Sequence, residues 1–375
     1  MIPMPAINFT DKFRRLGREY LLQTSVNELR RLIICSLFHS GQLINTRAFP
    51  VPENPAPGAL LDFVSKIHQQ CLTDIRSLLG LVERMQQLDK PEIIEKLGKT
   101  LCNRELYDEG RELLSMAVQK YPDMPGLHFV LGRLYLARGM FDEALEQSCK
   151  AVELAPSFPD YRNMLGIAYL STRKPVSAVD EFKKAVELNI YYDEAYFNLG
   201  LAFIMNGIVR EDFNLAKNLL HNCQEAFGKA IMFNPGYMNL NYETGMNLLR
   251  ENKLEQAYEI LSAMGREVIT HESEERLLEM YLRYIHGESG MTEEGIKQYV
   301  EQISELLKSN PGHADLHNEL GMAYTVMGKF LNNKAIEHFK EALKINPDFI
   351  KAARNLKLSQ NDLKGFEVLL EAIVR

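Results

Sequence analysis

Gly98, Gly132, Gly166 and Gly200 follow one another at intervals of 34 residues, each preceded by a leucine (Leu97, Leu131, Leu165, Leu199). Each frame closes at Pro122, Pro156, Ile190 or Pro235, with an alanine five residues earlier (Ala117, Ala151, Ala185, Ala230). Tyr135 and Tyr169 fall three residues after their glycines, and Ala144 and Ala178 fall twelve after. A fixed period of this length restricts the chain to a stack of like supersecondary units. Two antiparallel helices approach closely only where one offers little or no side chain, so glycine in the first helix and alanine in the second mark a crossing. Aromatic residues such as Phe182, Phe203, Phe227 and Phe339 fill the space beside it. One hairpin cannot bury its own apolar face, and stacking at least three copies makes a continuous core.

On these seats the chain resembles the tetratricopeptide repeat, a two-helix unit. The resemblance implies an all-α fold, a right-handed α-solenoid of helix hairpins. About seven copies are expected across 91–349: 91–124, 125–158, 159–192, 193–237 with an insertion, 238–271, a degenerate pair at 272–313, and 314–349. The fifth keeps Gly245 and Ala257 and has Leu248 at its aromatic seat. The seventh keeps Leu320, Gly321, Tyr324, Gly328, Ala335, Phe339, Ala342 and Pro347. Residues 350–375 are expected to form a terminal capping helix.

The first 90 residues lie outside the period and are expected to form a helical extension. Residues 1–50 carry seven basic side chains against three acidic ones, a charge of +4 in a chain whose total is −7. Helices are expected from about Thr10 to Gln23 and from Ser25 to Asn45, with Ser25 as N-cap and Glu28 completing a capping box. Pro50, Pro52, Pro55 and Pro57 break the pattern in a loop near 48–58, ending at Gly58. Apolar residues at helical spacing then predict a long helix, or a helix pair, from Leu60 to Leu88.

The mild acidity argues against nucleic-acid binding across the surface. Five scattered cysteines without a Cys-x-x-Cys pair fit reduced, mostly buried thiols, and a cytoplasmic location is expected. The basic N-terminus lacks the pattern of a secretory signal. The most apolar run, Leu32 to Phe38, is too short to span a bilayer.

No constellation for catalysis stands out, and neither a metal nor a cofactor is expected. His313 and His317 have metal-like spacing without a clear third ligand, so they read better as solvated helix-end side chains. Glu272, Glu274 and Glu275 read as a charged helix start.

Function is therefore expected from surfaces. The resemblance places a partner-binding groove on the concave face, lined by the first helix of each repeat. Its seats give Phe129, Arg133, Asn163, Ile167, Phe197, Asn198, Leu201, Tyr242 and Met246, an apolar strip edged by polar groups. Chaperone-binding family members hold a carboxylate there with lysine and arginine. Phe129, Asn163 and Phe197 instead favour an apolar or amphipathic peptide. The competing reading packs these side chains between helices. A second helix from Glu211 to Phe233, of about 23 residues, is expected to project from the fourth repeat with Phe213 and Ala216 on its stripe. Its alternative is a longer hairpin covering its own tip.

The expected activity is that of a non-enzymatic protein-binding scaffold or adaptor. The basic N-terminal helix is expected either to cap the array or to occupy the groove of its own or a neighbouring chain, the last of these giving self-association. Two alternatives stand beside it: a regulator whose Lys12, Arg14, Arg15 and Arg18 contact nucleic acid while the repeats sense a peptide, and an accessory domain completed by a catalytic partner.

Overall fold

The computed structural model describes residues 7–27, 29–52, 58–85, 90–267, 282, 293–309 and 314–373. The chain divides into two compact units, one of residues 85–270 and the other of 1–84 with 271–375.

Residues 8–50 correct the all-α expectation: they form a four-stranded antiparallel meander in the order β1-β2-β3-β4. The strands are β1 (Asn8–Arg15), β2 (Arg18–Asn27), β3 (Leu32–His39) and β4 (Gln42–Pro50). Two tight hairpins decide this. Leu16 and Gly17 (φ 52° and 70°) join β1 to β2, and Ser40 and Gly41 (φ 49° and 78°) join β3 to β4. Paired left-handed residues match the twist of antiparallel strands, and glycine takes the second place without steric cost. Ser25, the expected N-cap, lies inside β2, paired with Asn8 and Ile34. Glu28 lies outside the described residues. Tyr20, Leu22, Thr24, Ile33, Cys35 and Leu37 are all buried, and they alternate along β2 and β3 with the period of a half-buried strand.

Gly58 precedes one 27-residue helix, α1 (Ala59–Met85), which buries Val64, His68, Cys71, Leu78, Leu79 and Val82. Arg47 of β4 meets Asp74 of α1 at 3.2 Å, and Arg15 of β1 meets Glu83 at 3.0 Å. The apolar face of residues 8–50 is thereby covered by the chain's own helix. The free amphipathic helix on which self-association was expected does not form.

Residues 91–267 fold as helix pairs: α2 (Pro91–Asn103) with α3 (Tyr107–Lys120), α4 (Pro125–Ala137) with α5 (Phe141–Leu154), and α6 (Pro159–Ser171) with α7 (Pro175–Leu188). Proline opens α2, α4, α6 and α7, where its missing N–H is no loss. A left-handed residue closes each first helix: Glu105, Gly139 and Arg173. The next N–H then reaches back five residues, from Leu106 to Leu101, Met140 to Tyr135 and Lys174 to Tyr169, at 2.8–2.9 Å. That bond satisfies a helix-end carbonyl and turns the chain.

The glycine seats are the crossings. A Cβ at Gly98 would lie 2.7 Å from Leu114, one at Gly166 2.5 Å from Phe182, and one at Gly245 2.5 Å from Leu261. At Gly200 the partner is Phe227, 2.5 Å away, a sequence interval lengthened by the insertion.

The insertion itself departs from expectation. The first helix of the fourth pair, α8 (Asp193–Val209), has 17 residues where α6 has 13, so part of the extra length extends this helix. The remainder forms a short helix, α9 (Phe213–Lys217), interrupted at Asn218 before α10 (Leu219–Phe233). A single second helix starting at Glu211 is therefore not formed. Asp212 caps Asn214 and Leu215, and the buried Asn206 amide bonds both backbone groups of Asp212 at 2.8 and 2.9 Å. Those bonds fix a turn where a continuous helix was expected. The fifth pair follows as α11 (Leu240–Arg250) and α12 (Leu254–Glu267), turned at Asn252.

The sixth expected copy lies mostly outside the described residues, including Glu272, Glu274, Glu275 and His313. Its described part is α13 (Glu293–Ser309), packed through Ile296 and Val300 against Met322, Ala323 and Val326. Residues 314–345 are one 32-residue helix, α14 (Ala314–Ile345), where a hairpin was expected. No left-handed residue occurs between Gly328 and Ala335, unlike the turn of every pair from α2 to α12, so nothing reverses the chain there. A Cβ at Gly321 would meet nothing within 4 Å. Residues 350–373 form α15 (Ile350–Ile373), packed along α14.

Candidate functional site

The first helices α4, α6 and α8 lie side by side and carry most of the expected groove residues. Sequence seats alone do not decide which of these face outward. Phe197, Leu201 and Met246 are floor, at 1%, 5% and 3% exposure. Phe197 stacks on Tyr237 at 4.5 Å and lies 5.0 Å from Phe227, so the packed reading holds for these three. Asn163 and Asn198 are buried too, and form a ladder: the Asn198 amide donates to Asn163 Oδ1 at 3.0 Å, and the Asn163 amide donates to the Tyr192 hydroxyl at 3.2 Å. Paired in this way, the amides are held by each other.

Phe129, Arg133, Ile167 and Tyr242 remain partly exposed. Phe129 on α4 meets Tyr161 on α6 at 4.9 Å, and Tyr161 stacks on Phe158 at 5.1 Å, with Phe158 itself exposed. Tyr161, Phe158 and Tyr192 were missed by the seat pattern. Phe158 and Tyr161 stand three apart across Pro159, which was the available signal. On α9, Phe213 is 80% exposed and Ala216 partly so.

Charge on this face is mixed. Glu95 and Lys99 of α2 pair at 2.8 Å, and Arg133 faces Glu194 of α8. Burial pushes the Glu194 carboxyl upward, with the Asn163 bond and Arg133 opposing. The Tyr161 hydroxyl is pushed up to about 12 by burial and then by Glu95 and Asp160. A raised folded pKa for an acid means the folded state holds its proton more tightly, so this contribution to stability fades as pH rises through the window above 4.5. Glu194→Gln is therefore expected to stabilise the protein relative to wild type more at pH 7 than at pH 4. Denaturant midpoints of both proteins at the two pH values check it, and a pH-independent difference would count against a strained carboxyl.

The basic residues near the N-terminus are engaged locally. Lys12 and Arg14 lie 3.9 and 3.7 Å from Glu19, and Arg15 pairs with Glu83. Among the described residues, no group of three or more His, Cys, Asp or Glu is placed to hold a metal ion. His317 is exposed on α14.

A family model described as tetratricopeptide repeat matches residues 96–160, and another so described matches 314–349. The chain carries tetratricopeptide repeats in both stretches. In the second stretch it keeps the repeat's seats while running as a single helix. Similar solved structures include a thermophilic tetratricopeptide-repeat protein of Thermus thermophilus, 16% identical, covering 63% of this chain and 99% of that one, with a TM-score of 0.35. PilF of Pseudomonas aeruginosa is 17% identical over 61% of this chain and 95% of that one, with a TM-score of 0.36. YrrB, described as a tetratricopeptide-repeat protein with an unusual peptide-binding site, is 18% identical over 54% of this chain and 97% of that one, also at 0.36. Among curated proteins, no sequence matches the chain. Tetratricopeptide repeats are protein–protein interaction modules, and members of the family are in general scaffolds rather than enzymes. No helix among the described residues is long and apolar enough to cross a membrane.

Proposed function

We propose that the chain is a non-enzymatic scaffold that binds an amphipathic peptide segment across α4, α6 and α8. The observation that carries this reading is the aromatic cluster of Phe129, Tyr161 and Phe158, which spans two neighbouring repeats and stays accessible above a buried floor. Aromatic side chains on a rigid base are effective anchors because little conformational entropy is lost on binding. Glu95, Asp160 and Asp193 outnumber Lys99 on the same face once Arg133 and Glu194 are set against each other, so the preferred segment is apolar with basic residues beside the anchor.

Selection from a displayed peptide library against the full chain tests this. The selected peptides are expected to combine an apolar anchor with lysine or arginine. Phe129→Ala is expected to weaken the best of them by about tenfold or more. Phe141→Ala, at an exposed aromatic on a second helix, is expected to leave binding unchanged. Equal loss in both variants, measured by fluorescence polarisation with helicity monitored, would remove this face as the site.

A further inference from the structure

The interface between the meander and α1 holds five side chains that the scaffold function does not use. Cys35 on β3 faces α1, and the Cys71 thiol hydrogen-bonds to it from the helix. The Thr24 hydroxyl donates to Cys35 Sγ at 3.1 Å. His68 Nδ1 lies 2.8 Å from that same hydroxyl, and His68 Nε2 lies 2.8 Å from Asp11 Oδ2. A hydroxyl has one hydrogen. With it directed at sulfur, Thr24 accepts from Nδ1–H, and Nε2 opposite a carboxylate is bonded when it too carries a hydrogen. His68 thus bridges Asp11 and Thr24, one hydroxyl away from the Cys35 sulfur.

Thr24, His68, Cys35 and Cys71 are at most 5% exposed, whereas the Asp11 side chain is 43% exposed. The row thus connects a buried sulfur to solvent. Arg47 stands opposite Cys35 on β4 and adds positive charge.

We propose that Cys35 and Cys71 are a peroxide-oxidised dithiol site, with Cys35 as nucleophile and Cys71 as resolving thiol, whose disulfide ties β3 to α1. Both sulfurs are covered, so the oxidant class is one small enough to reach them, a hydroperoxide rather than a disulfide. The Cys35 thiolate attacks one peroxide oxygen, the O–O bond breaks, and Cys35 becomes a sulfenic acid. The departing hydroxide takes a proton delivered along His68 and Thr24 and leaves as water. Cys71 sulfur then attacks Cys35 sulfur, the S–S bond forms, and the S–O bond breaks. The sulfenic hydroxyl leaves as water with the Cys71 proton, and two electrons in all pass from the thiol pair to peroxide. An external dithiol returns those electrons. The assignment of roles follows the hydrogen bonds: the Cys71 bond, opposed by burial and aided by Thr24 and Arg47, holds Cys35 down to about 7, and the same bond with burial pushes Cys71 up.

The test uses the full, reduced chain with near-stoichiometric hydrogen peroxide, quenched with N-ethylmaleimide at intervals and mapped without reductant. The Cys35–Cys71 disulfide is expected first, at least about tenfold faster than oxidation of Cys102 and Cys149, which are more exposed. Oxidation of Cys102 or Cys149 while Cys35 and Cys71 are recovered as thiols would overturn the proposal. Alkylation of Cys35 by iodoacetamide across pH gives a second reading on the wild-type protein. A midpoint near 7 is expected, and one near 9 would remove Cys35 as the nucleophile. Cys71→Ser is expected to stop at a sulfenic acid on Cys35 that dimedone traps, and absence of that adduct in the folded variant would overturn the order of steps.

Discussion

Phe197→Ala is expected to cost about 3–5 kcal/mol, the largest loss among the groove positions, because an aromatic side chain would be removed from a closed site. Phe197 is 1% exposed, stacked on Tyr237 at 4.5 Å and 5.0 Å from Phe227. Nothing next to it is loose enough to collapse into the space, since Phe227 also fills the crossing at Gly200. Phe129→Ala removes the same atoms from a partly exposed position on α4 and is expected to cost about 1 kcal/mol. Urea unfolding of both variants, followed by circular dichroism, separates floor from face. Equal midpoints would mean that the two phenylalanines share one environment.

Gly166→Leu is expected to cost about 1–3 kcal/mol or more, because even its Cβ would sit 2.5 Å from the Phe182 ring, which is itself fully buried. Relief requires α6 and α7 to separate or the ring to leave its rotamer, and either disturbs the pair. Gly321→Ala is the opposite case. It lies inside α14 with nothing near its Cβ position, so alanine is expected to stabilise by about 0.5–1 kcal/mol through helix propensity. Both glycines occupy the same seat of the sequence period, and only one is a crossing. Opposite signs in thermal or urea melts are the expected result, and two losses of similar size would mean that residues 314–345 fold back after all.

The N-terminal region explains where sequence reading goes wrong. Val26, Leu29, Ile33 and Leu37 fall on one helical stripe, yet Leu29 is 98% exposed beside the β2–β3 turn while Ile33 and Leu37 point into the core of a sheet. Short apolar runs satisfy both periods, and the doublets Leu16-Gly17 and Ser40-Gly41 were the signal that separated them. The burial of Phe197, Leu201 and Met246 left no such signal, because exposure depends on what packs alongside, here Tyr237 from outside the first helices.

The sequence by itself determined the helix pairs from Pro91 to Glu267, because their seats are local. A glycine meets a large residue at a set interval, an alanine lies opposite, and a left-handed residue turns the chain. Only packing in three dimensions settled the floor of the groove and the row from Asp11 to Cys71. The floor brings Tyr237 onto Phe197 and the row brings His68 between Asp11 and Thr24, residues tens of positions apart, and whether a side chain there is buried, bonded or exposed is set by its neighbours in space.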